Sequence, residues 1–327
     1  MSGDLARPDA PLSLRVHAMT YEAEAVLGVE LRPERAGELL PGFGAGAHID
    51  LHLPGGLRRS YSLTDEPGER RRYRIAVHRA VDSRGGSRWM HESLRPGAVL
   101  AASGPRNNFP LTESAARSVF IAGGIGITPI LAMIRRLVAL GRPWDLHYAT
   151  RTRAHAAFVE PLHELARQGG GRLDLRHDRE PGGRPLDLAA IVRELPQDAH
   201  VYCCGPAGML KAFELATAHL APERVHVEHF AGKEPAAAGG GFRVKLHRSG
   251  RTLEVAPGQT ILDCLVAAGV EPMWSCREGV CGTCETRVLD GVPDHRDLVL
   301  TPDEQARNDR MMVCCSGARS ATLVLDL

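Results

Sequence analysis

The rhythm of hydrophobic and polar residues changes twice along the chain. Up to about residue 112, short runs in which apolar and polar residues alternate are separated by Gly and Pro, as in residues 48–54, 59–63 and 73–79. An alternation with a period of two is typical of β-strands that bury one face. This part therefore predicts a small antiparallel β-barrel, with one short helix near residues 87–94.

From Ser118 onward, buried-strand runs alternate with amphipathic segments. Residues 118–123 are continuously apolar or small, and residues 129–140 place their apolar side chains on one helical face before Gly141 ends the pattern. The same alternation continues to about residue 230. Strands that alternate with helices are typical of a doubly wound parallel sheet.

The last part begins after residues 232–241, which are rich in Gly and Ala and have little to bury, so they predict a flexible linker. Two alternating runs on either side of Ser249 and Gly250 then predict a hairpin. A helix is predicted over residues 260–269, and a final strand ends the chain. The chain is therefore predicted to be multidomain, with domains at 1–112, 113–231 and 242–327.

Composition narrows the class of protein. A chain of 327 residues is long enough for two or three cores, and 43% hydrophobic with 24% charged residues is ordinary for a globular protein. The first residues lack the apolar stretch of a signal peptide, and no apolar run approaches the roughly 20 residues that span a bilayer. We therefore expect a cytoplasmic protein without a membrane partner. The net charge of +1 argues against a general nucleic-acid role.

Four cysteines near the C-terminus have the spacing Cys276-x4-Cys281-x2-Cys284-x29-Cys314. This is the ligand spacing of plant-type [2Fe–2S] ferredoxins, whose two irons need four thiolates. A structural zinc site usually shows two pairs of close cysteines instead. The spacing alone does not separate Cys314 from Cys315 as the fourth ligand.

A glycine-rich turn follows the first strand of the α/β part. Thr128 is predicted to cap the next helix and Pro129 to occupy its first position. Glycines allow a pyrophosphate to approach, and a helix N-terminus favours its charge. A structural turn would explain the glycines equally well. The turn contains Gly123, Gly124, Gly126, Thr128 and Pro129.

A second turn of this kind, Cys204-Gly205-Pro206, also lies between a strand and a helix. Two such turns at the carboxyl ends of parallel strands could line one crevice for a nucleotide. Thr150, Arg151 and Arg153 end the second strand, where such folds contact the ribose. No acidic residue stands in that segment, so the arginines leave NADPH possible beside NADH.

Two segments of the barrel suit a flavin. Arg59, Tyr61 and Ser62 offer a cation, an aromatic ring and a hydroxyl, which match the phosphate, the ring system and its polar edge. Residues 83–87, which include Gly85, Gly86 and Ser87, form a second turn suited to an anion. A polar edge strand is an equally good account of the first segment.

Taken together, four motifs resemble the phthalate dioxygenase reductase family, from about Leu12 to Leu327. The motifs are RSYS at 59–62, GGIGITP at 123–129, CCGPAGM at 203–209 and CREGVCGTC at 276–284. The resemblance implies an FMN-binding β-barrel, an NADH-binding domain and an α+β ferredoxin domain of the β-grasp type.

The resemblance also implies roles for residues that match its motifs. Cys314 becomes the fourth ligand, because the family places that cysteine in a C-x-S motif, and NADH is favoured over NADPH. Ser62, Thr128 and Cys204 are the expected catalytic residues. The expected flavin contacts are Arg59, Tyr61, Ser62, Val77, His78, Arg79, Gly86, Ser87 and Phe230, and the expected nucleotide contacts are Gly124, Gly126, Thr128, Cys204 and Pro206.

The function implied is that of the reductase component of a Rieske-type oxygenase system, acting as a monomer. Nicotinamide gives up two electrons as hydride whereas the cluster takes one at a time, and a flavin can exchange with both. A reductase serving a cytochrome P450 is the alternative in the same class. A non-enzymatic redox sensor or carrier is the alternative in another class.

Overall fold

A computed structural model describes residues 11–81, 83, 85–230, 232, 237 and 241–327 of the chain. It divides the chain into two compact units, Met1–Glu228 and His229–Leu327. Among the residues described, no helix has both the length and the apolar character needed to cross a bilayer. The predicted boundaries at residues 112 and 231 stay predictions.

The first unit begins with a six-stranded antiparallel sheet, which confirms the strands expected there. Its strand order is β4-β3-β6-β1-β2-β5. The edge strands meet just beyond β4, where the Thr64 N–H donates to the Arg74 carbonyl over 2.9 Å. The elements are β1 (Leu12–Ala23), β2 (Val26–Pro33), β3 (His48–Leu53), β4 (Leu57–Ser62), β5 (Tyr73–His78), α1 (Gly86–Glu92) and β6 (Val99–Arg106).

A five-stranded parallel sheet completes this unit, in the order β11-β10-β7-β8-β9. Alternate residues of β7 enter different cores: Phe120 packs with α2 and α3, whereas Ile121 packs with α4 and α5. Helices therefore cover both faces, as the doubly wound pattern predicted. The elements are β7 (Arg117–Gly123), α2 (Ile127–Ala139), β8 (Trp144–Thr150), α3 (Val159–Arg167), β9 (Gly171–His177), α4 (Leu188–Arg193), β10 (Ala199–Cys204), α5 (Ala207–Thr217) and β11 (Val225–Glu228).

The second unit is a mixed sheet in the order β13-β12-β18-β14-β16, in which β12 runs parallel to β18. The predicted hairpin is β12 with β13, and the predicted helix is α6, which begins with a capping box between Thr260 and Asp263. The elements are β12 (Phe242–Leu246), β13 (Thr252–Val255), α6 (Ile261–Ala267), β14 (Glu285–Asp290), β15 (Pro293–Asp294), α7 (Pro302–Arg307), β16 (Arg310–Met312), β17 (Gly317–Ala318) and β18 (Thr322–Leu325).

The predicted linker falls mostly outside the described residues. Of residues 232–241, the structure describes Gly232, Ala237 and Gly241. The Ala237 N–H donates to the carbonyl of Cys315 over 2.7 Å, so this position is attached to the second unit. The expectation of flexibility therefore does not extend to Ala237.

Candidate functional site

The two glycine turns of the parallel sheet lie against each other. Their strands, β7 and β10, are neighbours, with Ala122 paired to Cys204. A Cβ atom on Gly126 would overlap the Cys204 backbone carbonyl, and one on Gly123 would stand 2.5 Å from Cδ of Pro206. Only glycine permits this approach, and the turns form one crevice at the carboxyl edge of the sheet.

The expected capping role of Thr128 is wrong. A 3₁₀ turn at Gly124–Gly126 runs directly into α2, which begins at Ile127. Gly124, at φ +53°, makes this tight entry possible, so no extended capping residue precedes the helix. Thr128 lies inside the helix, buried, with its hydroxyl donating to the Ile125 carbonyl over 2.9 Å. Pro129 is the third residue of the helix and not, as was expected, the first, but it still lies in the first turn, where its missing N–H is harmless.

A partly exposed acid, Glu228, and a buried thiol, Cys204, end the strands β11 and β10 beside this crevice. The Cys204 thiol donates to Oε2 of Glu228 over 3.9 Å. Burial raises the pKa of Glu228 to about 8, with the Cys204 hydrogen bond acting in the opposite direction. Burial likewise raises the pKa of Cys204. This edge of the crevice is therefore polar but uncharged around neutral pH. Glu228 was not singled out from the sequence as a site residue.

An acidic side chain stands where the sequence suggested only arginines. Glu180, in the loop after β9, accepts a hydrogen bond from the Arg153 backbone N–H over 2.7 Å and one from its guanidinium over 3.1 Å. These bonds, the backbone bond first, lower the pKa of Glu180. The adjacent Thr150 hydroxyl lies 2.8 Å from Nδ1 of His177. The segment at the end of β8 has no acidic residue of its own, as the sequence showed, but Glu180, 27 residues from Arg153 along the chain, brings a carboxylate to it.

The two flavin segments of the barrel also meet. A Cβ on Gly86 would stand 2.8 Å from the Arg59 side chain, so Arg59 lies across the turn that opens α1. Gly85 has φ +94°, and Ser87 accepts a hydrogen bond from the Ala80 N–H over 3.2 Å. A cation beside an open turn of this kind fits a phosphate. Arg84, in the same predicted turn, lies outside the described residues.

Tyr61 and Ser62 follow Arg59 on β4. Ser62 is buried, and Tyr61 is half-buried; burial raises the pKa of the Tyr61 hydroxyl to about 12, against the pull of Arg59. The tyrosine is therefore a neutral ring with a hydroxyl proton, which suits stacking and hydrogen bonding. These residues fit a flavin mononucleotide.

The other expected flavin residues of the barrel, Val77, His78 and Arg79, lie at the end of β5 and just after it, and their side chains have different surroundings. The Val77 side chain is buried, and its carbonyl lies 2.9 Å from Nε2 of His91. Much of His78 is exposed, but part of its imidazole is shielded from water. That partial shielding is the main cause that lowers its pKa, and the nearby charge of Arg151 is the second. Arg79 forms an ion pair with Glu92 over 2.7 Å. Arg151, just after β8 at the expected ribose position, is therefore close enough to the barrel residue His78 to affect its pKa.

The glycine turn lies directly against the barrel. Ile125 packs into a small cluster with Val26 and Ala76 of the barrel strands, and Ala157 and Phe158 complete it. The turn that follows β7 therefore adjoins β5, the strand of Val77 and His78. Within this unit, the candidate flavin and nucleotide residues are neighbours.

Four cysteine side chains of the second unit form a connected group. The Cys276 thiol is a neighbour of those of Cys281 and Cys314, and the Cys314 thiol is a neighbour of that of Cys284. The neighbouring Cys315 is directed elsewhere: its sulfur faces Gly279 and lies 3.7 Å from the Met312 carbonyl. The group comprises Cys276, Cys281, Cys284 and Cys314, the four residues expected from the sequence.

The loop that carries three of these thiols fits an iron–sulfur cluster. Gly279 and Gly282 adopt φ +70° and +73°, and Arg277 adopts φ +59°. These conformations curl the chain so that the Glu278 N–H donates to the Cys276 sulfur over 3.3 Å. Backbone N–H groups directed at thiolates stabilise their charge. Cys276 is partly exposed, whereas the other three thiols are buried.

Phe230 belongs to the second unit and is 41% exposed. Its expected place beside the flavin stays a prediction, as do the individual roles of the other site residues.

Two family models match the chain. One describes an oxidoreductase NAD-binding domain and matches residues 120–214. The other describes a 2Fe-2S iron-sulfur cluster binding domain and matches residues 244–319. They coincide with the parallel sheet and with the unit that holds the four cysteines.

Known proteins resemble the chain over almost its whole length. Phenoxybenzoate dioxygenase subunit beta of Ectopseudomonas oleovorans is 55% identical over 97% of this chain and 98% of its own. A solved structure of phthalate dioxygenase reductase, described as modular for electron transfer from pyridine nucleotides to [2Fe–2S], is 37% identical, with a TM-score of 0.74 over 97% of this chain and 98% of that one. An intact type IV self-sufficient cytochrome P450 monooxygenase is 41% identical, with a TM-score of 0.84 over 97% of this chain and 41% of that one.

Proposed function

The chain belongs to the phthalate dioxygenase reductase family, and from that premise we propose that it passes electrons from NADH through FMN and a [2Fe–2S] cluster to a terminal Rieske-type oxygenase. Membership makes it an NAD(P)H-dependent oxidoreductase rather than a non-enzymatic sensor. The observation that carries the proposal is the presence, in one chain, of a nucleotide crevice beside a candidate flavin strand and a separate group of four thiols.

The residues of the first unit divide the binding work. Arg59 and the turn at Gly85, Gly86 and Ser87 would hold the FMN phosphate, and Tyr61 with Ser62 would hold its ring system. When bound, FMN accepts a hydride and releases electrons singly. The glycine turns would hold the pyrophosphate of NADH, because their backbones allow a close approach.

Glu228 and Cys204 would line the nicotinamide end. Because the pKa of each group is raised, to about 8 for Glu228, both would offer hydrogen bonds with little charge around neutral pH. Thr128, whose hydroxyl is tied to Ile125, would fix the shape of the turn rather than act through its own proton.

Four thiolates of the second unit, from Cys276, Cys281, Cys284 and Cys314, would hold the cluster. We further propose that the protein is a monomer, since one chain carries every site, and that it is cytoplasmic, where NADH and reduced thiols are present. Light scattering of the purified protein tests the first point; a mass of two chains would contradict it.

The function is tested with the purified holoprotein. We expect about two iron and two acid-labile sulfide per chain, a flavin that chromatography identifies as FMN after heat release, and rapid NADH-dependent reduction of ferricyanide. Product formation should then require a Rieske oxygenase component. An adenine-containing flavin would refute the FMN assignment, and zinc in place of iron would refute the whole proposal.

A cytochrome P450 is the second candidate acceptor. The observation in its favour is the match of nearly this whole chain to part of a self-sufficient P450. Parallel assays with a P450 and a Rieske component decide between them: NADH-dependent product formation with the P450 alone would replace the Rieske proposal.

Glu180 supports NADH as the coenzyme. Its carboxylate occupies the Arg153 guanidinium and puts negative charge where NADPH would bring its 2′-phosphate. We expect Glu180→Gln to raise kcat/KM for NADPH about tenfold, while kcat/KM for NADH changes little. Glu160→Gln, an exposed carboxylate on α3, is the matched control. Equal NADPH activity in both variants would place the discrimination elsewhere.

A further inference from the structure

A buried carboxylate and imidazole lie close together in the second unit, just after β15. The side chains of His295 and Asp297 are 8% and 0% exposed, and His295 Nδ1 lies 3.6 Å from Asp297 Oδ1. Neither residue was singled out from the sequence, and neither is among the four cysteine ligands.

Only part of the hydrogen-bonding capacity of His295 and Asp297 is used. Asp297 Oδ2 accepts hydrogen bonds from the backbone N–H groups of Val299 and Leu300, over 3.2 and 2.8 Å. Asp297 Oδ1 and both ring nitrogens of His295 are buried without a partner among the described residues. An unpaired buried polar atom destabilises the folded state, because it has given up its hydrogen bonds to water. The imidazole is the group close enough to serve Oδ1, and a shift of under about 1 Å would make the hydrogen bond.

Asp297 packs directly behind the loop that carries three of the thiols. A Cβ on Gly279 would stand 3.0 Å from Asp297 Cα and 3.3 Å from its Cβ. The next residue, Leu298, donates its N–H to the Gly279 carbonyl over 2.9 Å. Gly279 lies between Cys276 and Cys281, so the segment that carries the Asp297 carboxylate is hydrogen-bonded to the cluster loop through Leu298.

Two cations and one anion lie on the residues around the pair. Arg296 and Arg319 both reach Asp294, at 2.9 and 3.5 Å. These residues are partly exposed, whereas Asp297 is not. The buried carboxylate is therefore the charge that solvent screens least.

We infer that the carboxylate of Asp297 keeps the reduction potential of the cluster low and that His295 is its positioning residue. The inference rests on the proposed function, since it needs the cluster. Reduction adds one negative charge to the cluster. A buried carboxylate nearby opposes that charge, and it does so most strongly in a region of low dielectric constant. A lower potential increases the driving force for passing the electron to the acceptor.

Asp297→Asn tests this with almost no change of shape, since the amide oxygen can still accept the two backbone bonds. The cluster potential is measured on the holoprotein by a dye-mediated redox titration followed in the visible spectrum, without NADH or oxygenase. We expect the reduced-to-oxidised ratio at fixed solution potential to rise about tenfold, equivalent to about 59 mV for one electron. Asp309→Asn, an exposed carboxylate of the same unit, is the control and should shift far less.

His295→Phe completes a double-mutant cycle. Loss of the imidazole leaves the carboxylate less neutralised, so the potential should fall, opposite to the effect of D297N, and the change should largely vanish in the D297N background. Equal shifts for D297N and D309N, or the same His295→Phe shift in both backgrounds, would overturn the inference.

If Asp297→Asn does not take up the cluster, Asp297→Ser is tested in its place. Its hydroxyl oxygen can still accept a hydrogen bond from a backbone N–H group, but it carries no charge. The same upward shift is expected, and no shift overturns the inference. Absence of a [2Fe–2S] spectrum in the unmodified protein refutes the proposed function instead, so the two failures are distinguishable.

Discussion

At the scale of single residues, Cys314 and Cys315 show how neighbours in sequence can have different chemistry. The Cys314 thiol is a neighbour of those of Cys276 and Cys284, whereas the Cys315 sulfur faces Gly279. We expect Cys314→Ser to lose or strongly bleach the visible absorption of the cluster, and Cys315→Ser to keep it. Absorbance per iron in the purified variants is the measurement. Loss of the cluster in Cys315→Ser, with retention in Cys314→Ser, would reverse the ligand assignment.

Glu228 makes a pH-dependent contribution to stability. Burial raises its pKa from 4.5 to about 8, so between those values the folded protein binds more protons than the unfolded chain. The free energy of unfolding therefore falls as pH rises through this window, by up to about 1.4 kcal/mol per pH unit from this group. Glu228→Gln should remove that slope and leave the protein more stable than the unmodified chain at pH 8.

Urea unfolding at pH 6 and pH 8 measures the effect of Glu228→Gln. Glu223→Gln, an exposed carboxylate on the turn before β11, is the control and should keep the slope. If the unmodified chain and the Glu228→Gln variant show the same dependence on pH, Glu228 is ionised in the folded protein and the uncharged edge of the crevice must be abandoned.

At the scale of elements, the nucleotide crevice depends on two turns that touch through their backbones. Gly126→Ala would place a methyl group on the Cys204 carbonyl, which no side-chain movement relieves. We expect a loss of about 1–3 kcal/mol in stability and weaker NADH binding. Gly208→Ala, in the first turn of α5 with open space around it, should change stability by less than about 1 kcal/mol, in the favourable direction.

Thermal unfolding and NADH titration of the two glycine variants separate the effects. Similar behaviour of Gly126→Ala and Gly208→Ala would mean that the turns move apart easily. A pre-formed crevice would then be the wrong description.

Elements were predictable from the sequence because their signals are local. The alternation in residues 73–79 and the helical face of residues 129–140 reappear as β5 and α2, with ends shifted by at most two residues. The α7 helix was missed although Thr301 and Glu304 form a capping box there, a signal that was available.

The site residues that the sequence did not reveal make contacts between segments that are far apart along the chain. Glu180 contacts Arg153 because β8 and β9 are paired. Asp297 contacts Gly279 because the loop after β15 packs against the loop that carries three of the cysteines. Spacing along the chain carries no information on either contact. The Thr128 cap failed for another reason: the 3₁₀ turn at Gly124 removed the extended residue that a cap needs. The cysteine group was predictable because its ligand spacing is itself a local pattern.

At the scale of the whole molecule, the proposed route of the electrons raises the question of how one iron–sulfur unit serves two redox partners. We propose that the segment between the units lets the iron–sulfur unit meet both the flavin and an external oxygenase in turn. Redox encounters of this kind are small, burying under about 1,200 Å². Because Ala237 is attached to the second unit, any freedom of movement should come from the residues before it.

Two measurements, each made from low to high ionic strength, test this proposal. Oxygenase-coupled turnover should fall as salt rises, because charge guides transient association, whereas flavin reduction by NADH should change little. Deleting residues 232–236, which removes half of the predicted linker and keeps Ala237, should slow coupled turnover and leave flavin reduction intact. Replacing the same five residues by Gly and Ser is the control, since it keeps the length and should keep the rate. If coupled turnover is insensitive to both salt and deletion, the two units act as a fixed relay, and the acceptor must reach the cluster without any movement of the second unit.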